Sequence, residues 1–218
     1  MFVVENLSYK ANNKLILKNI NFELKENSIT SIVGPNGAGK TTLIEVMAGV
    51  KGKLTGTTRK YRVVYINPDM LILNFLTAKE YIDMIINLNN VEKAEYEESF
   101  SIFESLHIND FWDTRIEFLS LGQKQKLMLL VGVLSKPDIL LFDEPFNALD
   151  INAYHQAIKI FSLFKEKFSI FFSTHELDGL SEVCDKIIYI QNGAIKKQLT
   201  KENGDLKDDN EFIQLFRG

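Results

Sequence analysis

The stretch Gly34-Pro35-Asn36-Gly37-Ala38-Gly39-Lys40-Thr41-Thr42 determines how the rest of this 218-residue chain is interpreted. It follows an alternating apolar run at residues 28–33 and precedes residues 43–48, whose apolar side chains have helical spacing. Strand, glycine-rich loop and helix form the context in which G-x-x-x-x-G-K-T predicts a phosphate-binding loop. The alternative is a glycine-rich turn before a core helix, which the complete pattern in this context disfavours.

The residue types in this loop suit an anion. Glycines let backbone N–H groups close around a phosphate with no Cβ in the way. A helix that begins near Gly39 adds unpaired N–H donors and the positive end of its dipole. Lys40 is expected to reach the β- and γ-phosphates, and the Thr41 hydroxyl to ligate Mg²⁺. The loop therefore predicts a nucleoside triphosphate site.

Composition limits the class of protein. The formal net charge is −4, from 25 basic and 29 acidic residues, so no basic excess points to a nucleic-acid partner. A single cysteine, Cys184, excludes an internal disulfide and fits a reducing compartment. The first residues do not resemble a signal peptide, and no apolar run approaches the length of a membrane span. We therefore expect a soluble, cytoplasmic chain, for which another protein supplies any membrane part.

A second strong pattern is Ile-Leu-Leu-Phe-Asp-Glu at residues 139–144. The continuous apolar run predicts a strand buried on both faces, and a carboxylate at its end is costly unless it is paired or near a metal. Asp143 is therefore expected to hold Mg²⁺, directly or through water. Glu144 is expected to polarise the water that attacks the γ-phosphate. The alternative is a pair of acids that cap the helix after Pro145.

Part of the segment between these two motifs is predicted to be helical. Residues 76–106 carry apolar side chains at helical spacing, Thr77 and Glu80 form a predicted capping box, and no strand signal interrupts them. Leu119-Ser120-Leu121-Gly122-Gln123 then opens an amphipathic helix with Ser120 as its N-cap. Such a helix start can bind an anion, although taken alone it is more often a plain cap. The predicted strands are residues 2–9, 15–24, 28–33, 54–58, 62–66, 139–142, 169–173, 186–190 and 194–199. Turns are predicted at Asn12-Asn13 and Asn192-Gly193, and helices at residues 124–134, 151–165 and 177–183, while apolar residues at 212–216 indicate a small amphipathic helix or a frayed end.

The order of five motifs resembles one family. The phosphate loop, LSLGQ, ILLFDEP, NALD and STHE follow one another as in ATP-binding cassette (ABC) ATPases, the nucleotide-binding subunits of ABC transporters, over about residues 1–199. The resemblance implies an α/β fold: a P-loop NTPase (RecA-like) core with an N-terminal antiparallel β subdomain and an inserted α-helical subdomain. It predicts one domain over 1–218, with the core at about 1–67 and 136–200, the helical subdomain at about 68–135 and a short tail at 201–218.

Site residues follow from the same resemblance. Glu144 matches the catalytic carboxylate, and His175 matches the switch histidine that contacts the γ-phosphate. Thr41 and Asp143 match the Mg²⁺ ligands, and residues 147–150 match the D-loop at the dimer interface. Tyr9 matches the aromatic residue that stacks on adenine, although it could also be an ordinary strand aromatic. The remaining matches contact ATP: Gly34, Asn36, Gly37, Gly39, Lys40, Thr41 and Thr42 in the chain's own site, and Ser120, Gly122 and Gln123 in the site of the opposing cassette.

The sequence departs from the family pattern at three positions. Leu121 replaces the first of two adjacent signature glycines, and its Cβ is expected to crowd the backbone near a bound phosphate. Pro68 falls where a glutamine normally helps to ligate Mg²⁺ or water, and it offers neither a side-chain amide nor an N–H group. Asn67 or Asp69 could substitute after a one-residue slip. Phe146, where a threonine is common, is interpreted as a packing change.

The resemblance also implies partners. Two cassettes, as a homodimer or with a related chain, would sandwich two ATP–Mg²⁺, and an integral-membrane transporter subunit would use the closure. The chain would then lie at the inner face of the cell membrane, docked through its helical subdomain and the loop at residues 67–74. Because the chain is compact, we expect an exporter-type partner. The alternatives are a degenerate cassette with weak hydrolysis and a non-transport cassette that serves translation or repair; the transported substrate is not encoded in these motifs.

Overall fold

A computed structural model describes residues 1–54, 56, 60–67, 73–175, 179–202 and 206. Two antiparallel strands open the chain, and six further strands form one sheet. The strands are β1 Phe2–Ala11, β2 Lys14–Leu24, β3 Ile29–Val33, β4 Val63–Ile66, β5 Ile139–Phe142, β6 Ser169–Thr174, β7 Lys186–Gln191 and β8 Ala194–Thr200. The helices are α1 Lys40–Met47, α2 Ala78–Asn89, α3 Lys93–Phe103, α4 Leu121–Leu134, α5 Ile151–Phe164 and α6 Leu180–Val183.

The large sheet carries the site. Its strand order is β4-β5-β6-β3-β7-β8, in which the first five strands run parallel and β8 pairs antiparallel with β7. The carboxyl ends of β3, β5 and β6 therefore meet at one edge of the sheet. Ligands of open α/β sheets bind beyond this edge. The phosphate loop, Asp143 and His175 all follow these three strands.

Two hydrophobic clusters lie on the two faces of the sheet. In β5 the side chains alternate between them: Leu140 and Phe142 belong to the cluster beneath the helices, and Ile139 and Leu141 belong to the cluster beneath α1 and the β1–β2 hairpin. All four residues are buried. Burial on both faces is the reason that β5 reads as an uninterrupted apolar run, as predicted.

Local sequence signals set most of the element ends. Asn12 and Asn13, both with positive φ, make the turn between β1 and β2, and Asn192-Gly193 makes the turn between β7 and β8. Thr77 and Glu80 form the predicted capping box at the start of α2. These predictions are confirmed. Three 3-10 turns, Glu104–Leu106, Ile108–Phe111 and Ile116–Phe118, connect α3 to α4.

Some element predictions shift or lie outside the described residues. The helix that Ser120 caps begins at Leu121, three residues before its predicted start at Lys124. The short helix predicted from residue 177 begins at Leu180, after Gly179 in a left-handed conformation. The strand predicted at 54–58 lies mostly outside the described residues, although Gly56 within it bridges to Val4. Pro68, Asp69 and the apolar tail at residues 212–216 are also outside them.

Candidate nucleotide site

The phosphate loop is braced by a part of the chain that lies far away in sequence. The turn between β7 and β8 holds it, because the Gly193 N–H donates to the Ala38 carbonyl at 3.0 Å. The Gly193 carbonyl in turn accepts from Lys18 on β2 at 2.8 Å. At Gly34, a Cβ would lie 2.1 Å from the Ile190 carbonyl oxygen. The first loop glycine is therefore required by close backbone packing as well as by access to a ligand.

Lys40 begins α1 and is almost fully buried, with 5% of its surface exposed. Its Nζ donates to the carbonyl oxygens of Gly34 at 2.8 Å and Pro35 at 3.4 Å. The Glu144 carboxylate is the nearest described acid, with Oε1 at 3.8 Å. A buried ammonium group needs such partners. The loop carbonyls thus hold the cation at the position where α1 begins.

Asp143 and Glu144 directly follow β5, and a hydroxyl from the next strand ties them together. Ser173, at the carboxyl end of β6, donates its hydroxyl to Asp143 Oδ1 at 2.5 Å. The Ser173 Oγ also accepts the Glu144 N–H at 2.9 Å. The STHE motif includes Ser173, but the sequence pattern assigned a role only to His175, because it does not show which groups a buried serine contacts.

Glu144 adopts a left-handed backbone conformation with φ of 50°. For a residue with a side chain, this conformation costs about 1 to 2 kcal/mol, so the surroundings must hold it in place. Its carbonyl accepts from the Asn147 N–H at 3.3 Å and from the buried Gln125 side chain at 3.4 Å. Its carboxylate accepts a short hydrogen bond from the Asn147 amide. The sequence pattern predicted neither Gln125 nor this contact of Asn147.

His175 follows β6 and is the third functional candidate at this edge. Its Nδ1 lies 3.7 Å from Glu144 Oε2, with half of the side chain exposed. Lys40 and His175 therefore approach opposite oxygens of one carboxylate. A cationic group and an imidazole on the same carboxylate can fix its orientation toward a reacting water.

The loop and Glu144 line an open cavity of about 320 Å³. Its walls also include Ile16 of β2, an apolar side chain that the sequence did not mark as a site residue. Tyr9 does not line this cavity. Its ring packs near Gly52, where a Cβ would lie 3.0 Å from the ring. The lining residues of the cavity are Ile16, Asn36, Gly37, Gly39, Lys40, Thr41, Thr42 and Glu144.

The predicted signature residues lie at the start of α4, away from this cavity. Ser120 accepts the Gln123 N–H at 3.2 Å, and the Gln123 side chain accepts the Ser120 N–H at 2.9 Å, which completes a capping box. Leu121, in the first turn, is 54% exposed. At Gly122, a Cβ would lie 2.8 Å from the Ala148 carbonyl. The remaining signature glycine thus packs against the loop that follows Glu144.

The interpretation of Phe146 as a packing residue is confirmed by its surroundings. It is buried, with ring contacts to Tyr154, Phe161 and Phe172.

The alternative in which Asp143 and Glu144 merely cap the following helix does not describe what is observed. That helix, α5, is capped by Asp150, which accepts from the N–H groups of Asn152 and Ala153. These hydrogen bonds lower the pKa of Asp150, led by the one from Ala153.

The cavity fits a nucleotide's phosphates on two observations. At Gly39, φ is 109°, and an added Cβ would lie 3.0 Å from the Leu17 side chain. The loop therefore presents bare backbone at this position of the cavity. The buried Lys40 ammonium group lines the cavity next to the Glu144 carboxylate, and phosphate oxygens could take the place of that carboxylate as its ionic partner. This parallel sheet, loop and acid pair define a P-loop NTPase of the α/β class.

Within that class the chain belongs to the ABC transporter family, whose pattern matches residues 17–147. It is 33% identical to a zinc import ATP-binding protein of Rickettsia bellii, over 87% of this chain and 82% of that protein. It is 28% identical to a phosphonates import ATP-binding protein of Fusobacterium nucleatum, over 88% and 89% of the two chains. The chain is therefore an ABC ATPase.

A solved structure gives the same fold. The dimeric, post-hydrolysis state of the cassette MJ0796 bound to ADP and phosphate superposes with a TM-score of 0.76 at 21% identity, over 92% of this chain and 98% of that one. The expectation of an exporter-type partner is not supported, because the two named relatives are import proteins. No helix among the described residues is long and apolar enough to cross a membrane.

Proposed function

We propose that this chain binds and hydrolyses ATP in the cavity between its phosphate loop and Glu144, and thereby powers transport by a separate membrane subunit. The observation that carries the proposal is the pairing of the buried Lys40 Nζ with the Glu144 carboxylate at 3.8 Å across one wall of that cavity. A cation for the phosphates and a base for water then lie on the same side of the site.

Thr41 and Asp143 would hold Mg²⁺ together with the nucleotide. Among residues 1–54, 60–67, 73–175 and 179–202, no three His, Cys, Asp or Glu side chains form a group that could hold a metal alone. Mg²⁺ commonly uses one or two protein ligands and completes its shell with phosphate oxygens and water. When bound, the ion would neutralise charge that develops on the phosphates.

Glu144 would orient and polarise the attacking water, and His175 would steady the γ-phosphate. The two side chains are already neighbours, with His175 Nδ1 at 3.7 Å from the carboxylate. The Asn147 amide holds the same carboxylate from the loop side. Adenine would extend toward the β1–β2 hairpin, where Ile16 forms an apolar wall of the cavity. Tyr9 on the neighbouring strand would stack on adenine only beyond this wall, because its ring packs near Gly52.

A second cassette would complete the site. Ser120, Gly122 and Gln123 lie at the start of a helix outside the chain's own phosphate cavity, so they would serve a nucleotide bound to an opposing chain. The dimeric state named for the structural neighbour MJ0796 supports this arrangement. The mass of the ATP-bound complex of the purified protein would show whether the opposing chain is a second copy or a related cassette.

The membrane subunit would dock on the helical segment between β4 and β5 and on the loop at residues 67–74, of which 68–72 lie outside the described residues. Phe75 and Phe118 are exposed there, at 63% and 70%, on two segments joined by the hydrogen bond from Glu117 N–H to Asn74 O. This position would hold the chain at the inner face of the cell membrane. The two import relatives favour inward transport. Co-purification with the product of a neighbouring membrane-protein gene would test the docking.

One observation favours a second candidate function, a cassette that binds ATP with little hydrolysis. Leu121 exposes half of an apolar side chain at the helix start where the family has glycine, so closure on an opposing nucleotide could be impaired. Ser120 and Gly122, on either side of it, still offer the cap hydroxyl and open backbone. The measured turnover number separates the two candidates.

The experiment that tests the proposed function replaces Glu144 by Gln. ATP turnover should fall by about 10²- to 10⁴-fold, since a positioned general base is lost, while ATP binding persists. Glu104→Gln, at an exposed carboxylate in the helical segment, is the matched control and should leave turnover unchanged. Equal turnover in wild type and Glu144→Gln, with tight ATP binding in both, would overturn the assignment and favour the weakly hydrolysing cassette.

A further inference from the structure

The Ser173 side chain is a buried polar group near the carboxyl end of β6. It follows Phe171 and Phe172 in β6, and its exposed fraction is 0%. A buried hydroxyl in such a place needs hydrogen-bond partners. Both of its partners belong to the acid pair after β5: Asp143 Oδ1 at 2.5 Å and the Glu144 N–H at 2.9 Å.

The direction of this small network is fixed by the groups themselves. The Glu144 N–H can only donate, so the Ser173 oxygen must accept from it. The single hydroxyl proton is then directed to Asp143 Oδ1, where a carboxylate oxygen accepts it. Hydrogen bonds arranged in series polarise one another in a low-dielectric interior. One buried side chain therefore fixes the rotamer of Asp143 and the backbone of Glu144 at the same time.

The bond to Glu144 has a particular consequence because that residue has φ of 50°. A left-handed backbone in a glutamate persists only where its surroundings hold it. Ser173 holds the N–H, while Asn147 and Gln125 hold the carbonyl. This turn directs the Glu144 carboxylate toward Lys40 and His175.

We propose that Ser173 is a positioning residue for both carboxylates: its hydroxyl presents the Asp143 carboxylate to the nucleotide-bound cation and aims Glu144 at the reacting water. The proposal rests on the proposed function. It predicts that loss of the hydroxyl weakens cation binding and the chemical step together, while the phosphate loop keeps its hold on the nucleotide. A serine that merely fills space in the sheet would leave both properties unchanged.

The test compares Ser173→Thr with Ser173→Val. The two variants have the same branched shape and suit a strand, so they differ only in the hydroxyl. Two measurements are made on the purified full chain: ATP turnover as a function of Mg²⁺ concentration, and ATP binding by calorimetry in EDTA and in Mg²⁺. Ser173→Val should lose about 10- to 100-fold in turnover and in Mg²⁺ affinity together, as is typical when a group that orients a metal ligand is removed.

In EDTA, both variants should bind ATP as the wild type does, because Lys40 and the loop glycines are untouched. Ser31→Ala, at a fully buried serine of the adjacent strand β3, is the control for loss of a core hydroxyl and should leave turnover and Mg²⁺ dependence unchanged. Ser173→Ala replaces Val if the larger side chain prevents folding, as judged by circular dichroism.

The proposal is overturned if Ser173→Val and Ser173→Thr share one Mg²⁺ dependence and one turnover number, or if ATP binding in EDTA falls as much as binding in Mg²⁺. A wild type without ATP turnover would contradict the proposed function instead. In that case the calorimetric comparison in Mg²⁺ still decides the role of Ser173, since cation binding does not require hydrolysis.

Discussion

The two halves of the expected ATP site are built in different ways. The half at the sheet edge is cross-linked by tertiary hydrogen bonds: Lys40 binds loop carbonyls, and Ser173 joins Asp143 to Glu144. The half at the start of α4 is local, because Ser120 and Gln123 hydrogen-bond to each other within one turn. Leu121 beside them is exposed.

This difference shows which half can act within a single chain. At the sheet edge, the phosphate loop after β3 and Glu144 after β5 line one cavity, and Ser173 and His175 hold the acids from the side of β6, so a ligand there meets a preorganised surface. The α4 start presents a capped helix end and an apolar side chain outside that cavity. Under the proposed function, a second molecule would bring a nucleotide to it, so we expect the residues at the α4 start to affect stability little but dimer-dependent activity strongly.

The largest contrast between the halves should come from their glycines. Gly34→Ala would place a Cβ 2.1 Å from the Ile190 carbonyl, in a buried sheet that cannot yield. We expect a loss of at least about 3 kcal/mol in the free energy of unfolding. Gly122→Ala meets the Ala148 carbonyl at 2.8 Å, in an exposed loop that can move, and should cost less. Urea denaturation of both variants measures the difference; equal losses would remove the distinction.

Ser120→Ala should separate stability from activity at the helical half. Loss of the cap costs about 1 kcal/mol in the free energy of unfolding. If the Ser120 hydroxyl serves an opposing nucleotide, ATP turnover should fall much further than this destabilisation explains, and the fall should be largest where turnover depends on protein concentration. Thr77→Ala removes the equivalent cap of α2 and is the control. Identical turnover in the two variants would assign Ser120 to capping alone.

Leu121→Gly should have a smaller and opposite effect on activity. The change restores the family's paired glycines and removes an exposed apolar side chain, so ATP-induced dimerisation and turnover should increase. A glycine within the first turn of α4 should cost less than about 1 kcal/mol in the free energy of unfolding. Turnover and light scattering with ATP are compared between Leu121→Gly and wild type. Reduced dimerisation in the variant would indicate that Leu121 contributes contact area instead.

The smallest effect is expected at Cys184, a buried core residue that belongs to neither half. Burial raises the pKa of its thiol to about 12, from 9.0. The thiol should therefore stay neutral and resist alkylation in the folded chain up to about pH 9, and the contribution of its neutral form to stability should be lost only as the pH rises further. Iodoacetamide labelling with and without urea measures this. Rapid labelling of the native chain would show that the core opens locally.

The sequence predicted the elements whose signals are local. The strand before Gly34, the capping box at Thr77, the N-cap at Ser120, and the Asn192-Gly193 turn follow from periodicity and from side chains that hydrogen-bond within a few residues. The start of α4 was predicted three residues late, although Ser120 was identified as its cap. Helical spacing alone marks where a helix becomes amphipathic, whereas the cap marks where it begins.

The site was predictable only where one motif carries it. Lys40 and the Asp143-Glu144 pair are marked by their neighbours in sequence, and the roles proposed for them remain predictions. Ile16 and Gln125 are not marked in this way, and Ser173 is marked only as part of the STHE motif, with no role of its own. Each is an ordinary strand or helix residue whose importance comes from a partner at another sheet position. Periodicity places such a residue in the core without saying which polar group it meets there.

By itself, the sequence determined the fold class and the family, because five motifs in a fixed order require a phosphate loop, a buried strand that ends in acids, and a helix that opens with a cap. Only the tertiary structure decided how these parts meet. The strand order sets Ser173 beside Asp143, the β7–β8 turn behind the loop, and Lys40 opposite Glu144. The physical reason is that hydrogen bonds across parallel strands join residues that are far apart in the chain, so no local pattern encodes them.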